Sequence, residues 1–224
     1  MGREQEDDME DRGISQWYNE AHARKLIGNL EKKGFKAQFR TTADEARDAV
    51  INLIPEGASV ALAGSQTLEQ IGVKPLLRSN GRFNVIDPYE PGIDMAESVA
   101  RRKRGLTADV MVASTNALTE DGALLNLDGM GNRVAGMIFG PDKVILAVGM
   151  NKVVKDVHEA WRRIREKASP MNNKRLNMPN PCTQTGFCED CASPTRICNY
   201  FTRIERSFIP GRIHIVLVGE ELGY

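Results

Sequence analysis

Short apolar runs alternate along this chain with stretches of helical spacing, and that alternation narrows the folds open to it. Ser59-Val-Ala-Leu62, Phe83 to Ile86, Asp109 to Ala113, Lys143-Val-Ile-Leu-Ala-Val148 and Arg212-Ile-His-Ile-Val-Leu-Val218 read as strands. Phe35 to Phe39 alternates like a further one. Between them, Ile14 to Lys33, the stretch from Thr42 or Asp44 through Leu53, Asp94 to Arg104 and Asp156 to Lys167 carry apolar residues at helical spacing or helix-capping signals. Trp17, Ala21, Leu26, Ile27 and Leu30 are the expected core stripe of the first helix, and Val157, Ala160, Trp161 and Ile164 that of the last. Strands that are apolar throughout need cover on both faces. Repeated strand–helix units therefore predict an α/β fold with a mainly parallel sheet flanked by helices.

A chain of 224 residues suffices for one sizeable core. The expected organisation is a charged, disordered acidic tail over 1–12 followed by a single domain over 13–224. Thirty basic residues balance thirty acidic ones, so nothing calls for nucleic acid or an anionic membrane as partner. No run approaches the roughly 20 apolar residues that span a bilayer, and Met1 to Arg12 has no apolar signal core. A cytoplasmic location is the expectation by elimination, and there clustered cysteines are metal ligands or catalysts more often than disulfides.

The alternation breaks at Asn172 to Ile197, a long aperiodic stretch rich in Asn, Pro, Thr and Cys. Chain order on both sides of it requires something other than apolar burial to hold it. Cys182, Cys188, Cys191 and Cys198 are all the cysteines present, spaced C-x5-C-x2-C-x6-C. The central C-x2-C pair is a chelating bite, and Pro181, Gly186 and Pro194 supply turns for the outer two. Structural zinc usually shows two short-spaced pairs, so an iron–sulfur cluster of the 4Fe-4S type is the favoured occupant. Zinc is the alternative, and disulfide or thiol redox chemistry ranks last. A centre that only staples the segment also stays open.

Three loops at strand ends carry ligand chemistry. Ala63-Gly-Ser-Gln-Thr67 leads from a strand into a helix; Gly64 permits close backbone approach, and Ser65, Gln66 and Thr67 offer polar groups to a phosphate or carboxylate. Its ordinary reading is a helix cap and a tight turn. Ser114 to Arg133 supplies Asn116, Asp128, Asn132 and Arg133, and reads equally as a hairpin turning at Glu120-Asp-Gly122. Lys152 follows the strand ending at Val148 and can reach the same cleft, although taken singly it reads as a solvated lysine. His22, His158 and His214 are scattered and form no ligand pattern.

These residues resemble the lactate-utilisation (LUD-domain) family. The likeness rests on Gly64 to Leu68, Ala108 to Val112, Ser114 to Gly122, Asp128-Gly-Met-Gly-Asn-Arg133, Gly140 to Val144, Val148-Gly-Met-Asn-Lys152 and Val218 to Tyr224. It spans roughly residues 15 to 224. It implies a sheet of the NagB/RpiA/CoA transferase-like superfamily with a ligand cleft at its strand ends. By the resemblance, Ser65, Gln66 and Thr67 match an anion-holding loop, and Asn132 with Arg133 its opposite wall. The ferredoxin-like C-x2-C-x2-C-x3-C-P module of the larger lactate-oxidation subunit is not present here.

Three functions are compatible with these signals. One is an iron–sulfur protein, redox-active or accessory in oxidation of a small hydroxy acid such as lactate, working with a redox partner protein. Another is an enzyme whose metal-adjacent cleft acts on a small anionic substrate. The third is a ligand-binding domain with structural zinc. Homo-oligomerisation stays open.

Overall fold

The computed structural model describes residues 3–79 and 81–224, with side chains from Gly13 onward. Of the tail expected over 1–12, Met1 and Gly2 lie outside the described residues, and from Arg3 onward the chain belongs to a helix. In chain order the structure has α1 (Arg3–Lys32), β1 (Lys36–Arg40), α2 (Ala43–Asn52), β2 (Ser59–Leu62), α3 (Gln66–Gln70), α4 (Val73–Ser79), β3 (Asn84–Ile86) and α5 (Met95–Arg104). There follow β4 (Val110–Ala113), β5 (Ala117–Thr119), β6 (Leu124–Asp128), α6 (Asn132–Ile138), β7 (Lys143–Gly149) and β8 (Val153–Val154). The last part holds α7 (Val157–Arg163), α8 (Ser169–Arg175), α9 (Cys182–Thr185), β9 (Tyr200–Ile204) and β10 (Ile213–Val218).

Six strands form the main sheet in the order β1-β10-β7-β4-β2-β3, and every neighbouring pair is parallel. The all-apolar strands are buried on both faces, as their composition demands. On β7, Ile145 and Ala147 join the core under α2, α3 and α4, while Val144, Leu146 and Val148 join the opposite core under α1. The expected stripe of α1 is corrected at one end: Leu26 and Leu30 are buried beside Ala23, but Trp17 is 67% exposed. Thr42, rather than Asp44, caps α2, in a reciprocal capping box with Glu45.

A second, mixed sheet of order β8-β5-β6-β9 departs from a purely parallel architecture. The β5–β6 hairpin turns through Glu120-Asp-Gly122, and β9 adds antiparallel to β6. Leu118 and Leu124 pack back onto the main core, whereas Ala117 and Leu125 pack on Ala160 and Ile164. This small sheet overhangs the carboxyl ends of the main strands, and β9 is the arm that returns from the cysteine-bearing segment.

Chain direction matters most at the end of β7. A side-chain carbon on Gly149 would sit 2.5 Å from Asn151 Oδ1 and 2.8 Å from both Glu220 O and Leu222 N. Only glycine lets the C-terminal segment cross there. Gly149→Ala is expected to cost about 1–3 kcal/mol through overpacking, and comparison of denaturant unfolding curves measures it.

Candidate functional site

Chain order makes the carboxyl ends of β2 and β4 a topological switch point, the place where open parallel sheets collect ligands. From β2 the sheet runs one way to β3, and on its other side lie β4, β7 and β10. Lys152 stands over this point, just beyond β7. Its amine donates to Thr67 Oγ1 at 2.7 Å and to Ser114 Oγ at 3.1 Å, and the residue is 3% exposed. The reading as a solvated lysine is thereby corrected. Burial, and then the charges of Arg163 and Arg133, pull the amine down to about 7.

Arg163 is a neighbour that periodicity concealed, since it lies at the end of α7 beside the apolar Ala160 and Ile164. Its Nη1 donates to Asn116 O at 2.6 Å and its Nε to Asn151 O at 3.2 Å. Its Nη2 is buried and makes no hydrogen bond. Burial lowers its pKa to about 10. The N–H groups on Nη2 of Arg163 are thus buried donors without an acceptor, an arrangement that is costly unless something offsets it.

The other expected cleft residues have different tasks. Arg133 is engaged on every side: Nε to Asp128 Oδ1 at 2.8 Å, Nη1 to Ser114 O and Asn126 Oδ1, and Nη2 to Asn116 Oδ1 and Leu127 O. Asp128 also caps α6 by accepting from the backbone of Arg133 and Val134. Asn116 ties β6 to this knot through Leu127 N. These three residues hold the site together, with all five N–H groups of Arg133 engaged. Asn132 stands apart, lining a separate cavity of about 300 Å³ with Arg101, Arg102 and Met111. Ser65 caps α3 by accepting from Leu68 N at 3.3 Å. Gly64 is required by Tyr89, whose ring would lie 2.8 Å from an added side-chain carbon. Gln66 opens α3, and of the loop only Thr67 reaches Lys152.

The C-terminal segment closes over the amine. Leu222 N donates to Asn151 Oδ1 at 3.1 Å, and Gly223 N to Gln70 Oε1 at 2.6 Å. Gly223 adopts φ +62°, and a side chain on it would meet Thr67 Oγ1 at 2.5 Å and Lys152 Nζ at 3.0 Å.

The cysteines occupy a second place. Cys182, Cys188, Cys191 and Cys198 are unpaired, half-buried, and together line one cavity of about 330 Å³. Arg165, Ser169, Asn173 and Arg196 complete its wall. The helix begun by α7 passes through a wider π turn, Ile164–Ala168, into α8, so one rod carries both Arg163, tied to Asn116 and Asn151, and Arg165, which lines the thiol cavity. Asn173 Nδ2 lies 3.8 Å from Cys198 Sγ. Arg196 fastens the loop by donating to Cys191 O, Cys198 O and Asp190. Burial, then the charges of the other three cysteines, raises the Cys182 thiol. Burial opposes the charge of Arg165, but Asp190 and the Cys188 and Cys198 thiolates outweigh it and push its pKa up. Among the described residues no three of His, Cys, Asp or Glu gather as a ready site for a single ion.

Lys152 leaves a signature in stability. Between about pH 7 and 10.5 the unfolded chain holds the lysine proton and the folded chain does not. Stability therefore rises with pH across that window, by at most about 1.4 kcal/mol per pH unit. Unfolding free energies measured at pH 7 to 10 are expected to lose that share of their slope in Lys152→Met.

The sequence pattern of the LUD domain matches residues 23–218. Among solved structures, a DUF162 family protein from Deinococcus radiodurans superposes with a TM-score of 0.51 at 16% identity, over 89% of this chain and 97% of that one. Ribose 5-phosphate isomerase A from Methanocaldococcus jannaschii gives 0.40 at 13% identity, over 80% and 94%. No curated protein matches. With the family pattern running from within α1 to the end of β10, over most of its length, the chain belongs to the LUD domain family.

Proposed function

We propose that this LUD-domain chain holds an iron–sulfur cluster through Cys182, Cys188, Cys191 and Cys198, and serves the oxidation of a small hydroxy acid such as lactate. The observation that carries this reading is that all four cysteines, none in a disulfide, face one cavity. A single zinc needs four donors within ~2.3 Å of one point. A cluster attaches each thiolate to a different iron, so its ligands stand apart around a larger object. A 4Fe-4S cluster takes four thiolates, the number that this cavity offers. When bound, it supplies one-electron transfer.

The protein's own groups suit that cargo. Arg165 and Arg196 bring positive charge to a cavity that would hold several thiolates. Asn173 offers an N–H toward Cys198, a contact of the kind that tunes a cluster's potential. The half-exposed position of the loop would let a redox partner protein approach. A reducing, cytoplasmic setting would keep the thiols available.

Anaerobic purification followed by iron, sulfide and zinc determination, with a visible absorption spectrum, tests the reading. Iron and sulfide in comparable amounts are expected, with loss of both in Cys188→Ala and Cys191→Ala. Unchanged iron in either variant, or zinc in place of iron, would overturn it.

A further inference from the structure

The cavity lined from α5, α6 and the strands β2, β3 and β4 includes neither the cysteines nor Lys152. It measures about 300 Å³, at the lower end of the range for small-molecule pockets. Most of its wall is apolar, with Leu62, Ile86, Leu106 and Met111 prominent, and Arg102 and Asn132 stand among them. We propose that this cavity binds one small monocarboxylic acid with an apolar body, its carboxylate held by Arg102 and Asn132. The assignment is independent of the cysteine centre, so its test and the iron determination stand apart.

The polar side chains select the headgroup. Arg101, also on the wall, is already neutralised: its Nε donates to Glu97 Oε1 at 2.7 Å, and its Nη1 to Asp87 O and to the carboxylate of Glu90. Arg102 has no carboxylate partner among the described residues. Its Nη1 contacts the Met130 sulfur at 2.8 Å, and its Nε is buried with no hydrogen bond. Its Nη2 and the amide of Asn132 likewise make none among the described residues. The Tyr89 ring, 5.0 Å from the guanidinium carbon, covers a face of that cation and not its edge. The Nε–Nη2 edge is the fork that takes a carboxylate through two parallel N–H bonds, and the Asn132 amide is a further donor. A buried N–H without an acceptor is costly, and a carboxylate supplies the acceptor. One guanidinium without a counter-charge matches a single negative charge, whereas a phosphate dianion would lack a second cation.

The apolar wall selects the rest of the molecule. Among Leu62, Ile86, Leu106 and Met111 a hydroxyl or ammonium on the body finds no partner, so hydrocarbon fits best. Each methylene that enters leaves water, which is worth about fourfold in affinity.

Isothermal titration of the full chain at pH 7 with acetate, hexanoate, hexanol and inorganic phosphate is the test. Hexanoate is expected to bind at least about tenfold more tightly than acetate, which lacks the body, and than hexanol, which lacks the charge. Phosphate is expected to bind no better than acetate. Arg102→Gln is expected to weaken hexanoate at least about tenfold. Leu106→Trp, which narrows the cavity from a half-buried position, is expected to weaken hexanoate too, and carries the test should the first variant not fold. No saturable hexanoate binding, equal affinity for hexanol or phosphate, or full hexanoate affinity in either folded variant overturns the proposal.

Discussion

Arg133 is the tie on which the rest of this structure depends. A parallel sheet leaves its strand ends open, and here a second sheet must be held over them at a fixed distance. The guanidinium spans that gap, reaching Asp128 and Asn126 on β6, Asn116 on the connecting loop, and the carbonyl of Ser114 at the end of β4. Every donor has a fixed acceptor, and Asp128 removes the net charge. The planar fork of arginine suits such a junction, where a lysine would supply one mobile charge and no geometry. Holding β6 also positions β9, its antiparallel neighbour, and so the end of the cysteine segment.

The same economy links the two candidate sites. A single helical rod, widened by a π turn at Ile164–Ala168, carries Arg163 toward the strand ends and Arg165, Ser169 and Asn173 toward the thiols. The wide turn changes the angular register between the residues before and after it, which lets nearby arginines on one rod serve different surroundings. One arginine is desolvated with an open donor, and the other is held charged by Asp190. Their contrasting environments arise from packing, since the side chains are identical.

Much of the fold was legible from local pattern. The central strands of the main sheet, β2, β4, β7 and β10, declared themselves as apolar runs, and burial on both faces follows because parallel strands are covered by their own crossovers. The cap of α2 was narrowed to Thr42 or Asp44, of which Thr42 makes it, and the start of α5 was placed at Asp94, its cap. The second sheet was not, because β5 and β8 are too short for a period to register and β9 is largely exposed. Among site residues, the loop at Gly64 to Thr67 was in place, but its members diverge: Ser65 serves a helix, Gly64 makes room for Tyr89, and Thr67 alone meets Lys152. Asn132 and Arg133, adjacent in sequence, point different ways, one into a cavity and the other into the knot of acceptors around Asp128 and Asn116, as successive residues on a helix must.

What the sequence determined unaided was the parallel α/β layering and the concentration of four thiols in one aperiodic stretch. Both are properties of neighbours along the chain. Tertiary structure alone decided that Lys152 is buried rather than solvated, that the charge of Arg163 reaches it, and that Gly223 lies against it. Those facts join residues far apart in sequence, and a lysine's charge state depends on how much water and which charges surround it. No spacing rule encodes that environment; it exists only once the strand ends, the α7 helix and the C-terminal segment have been brought together.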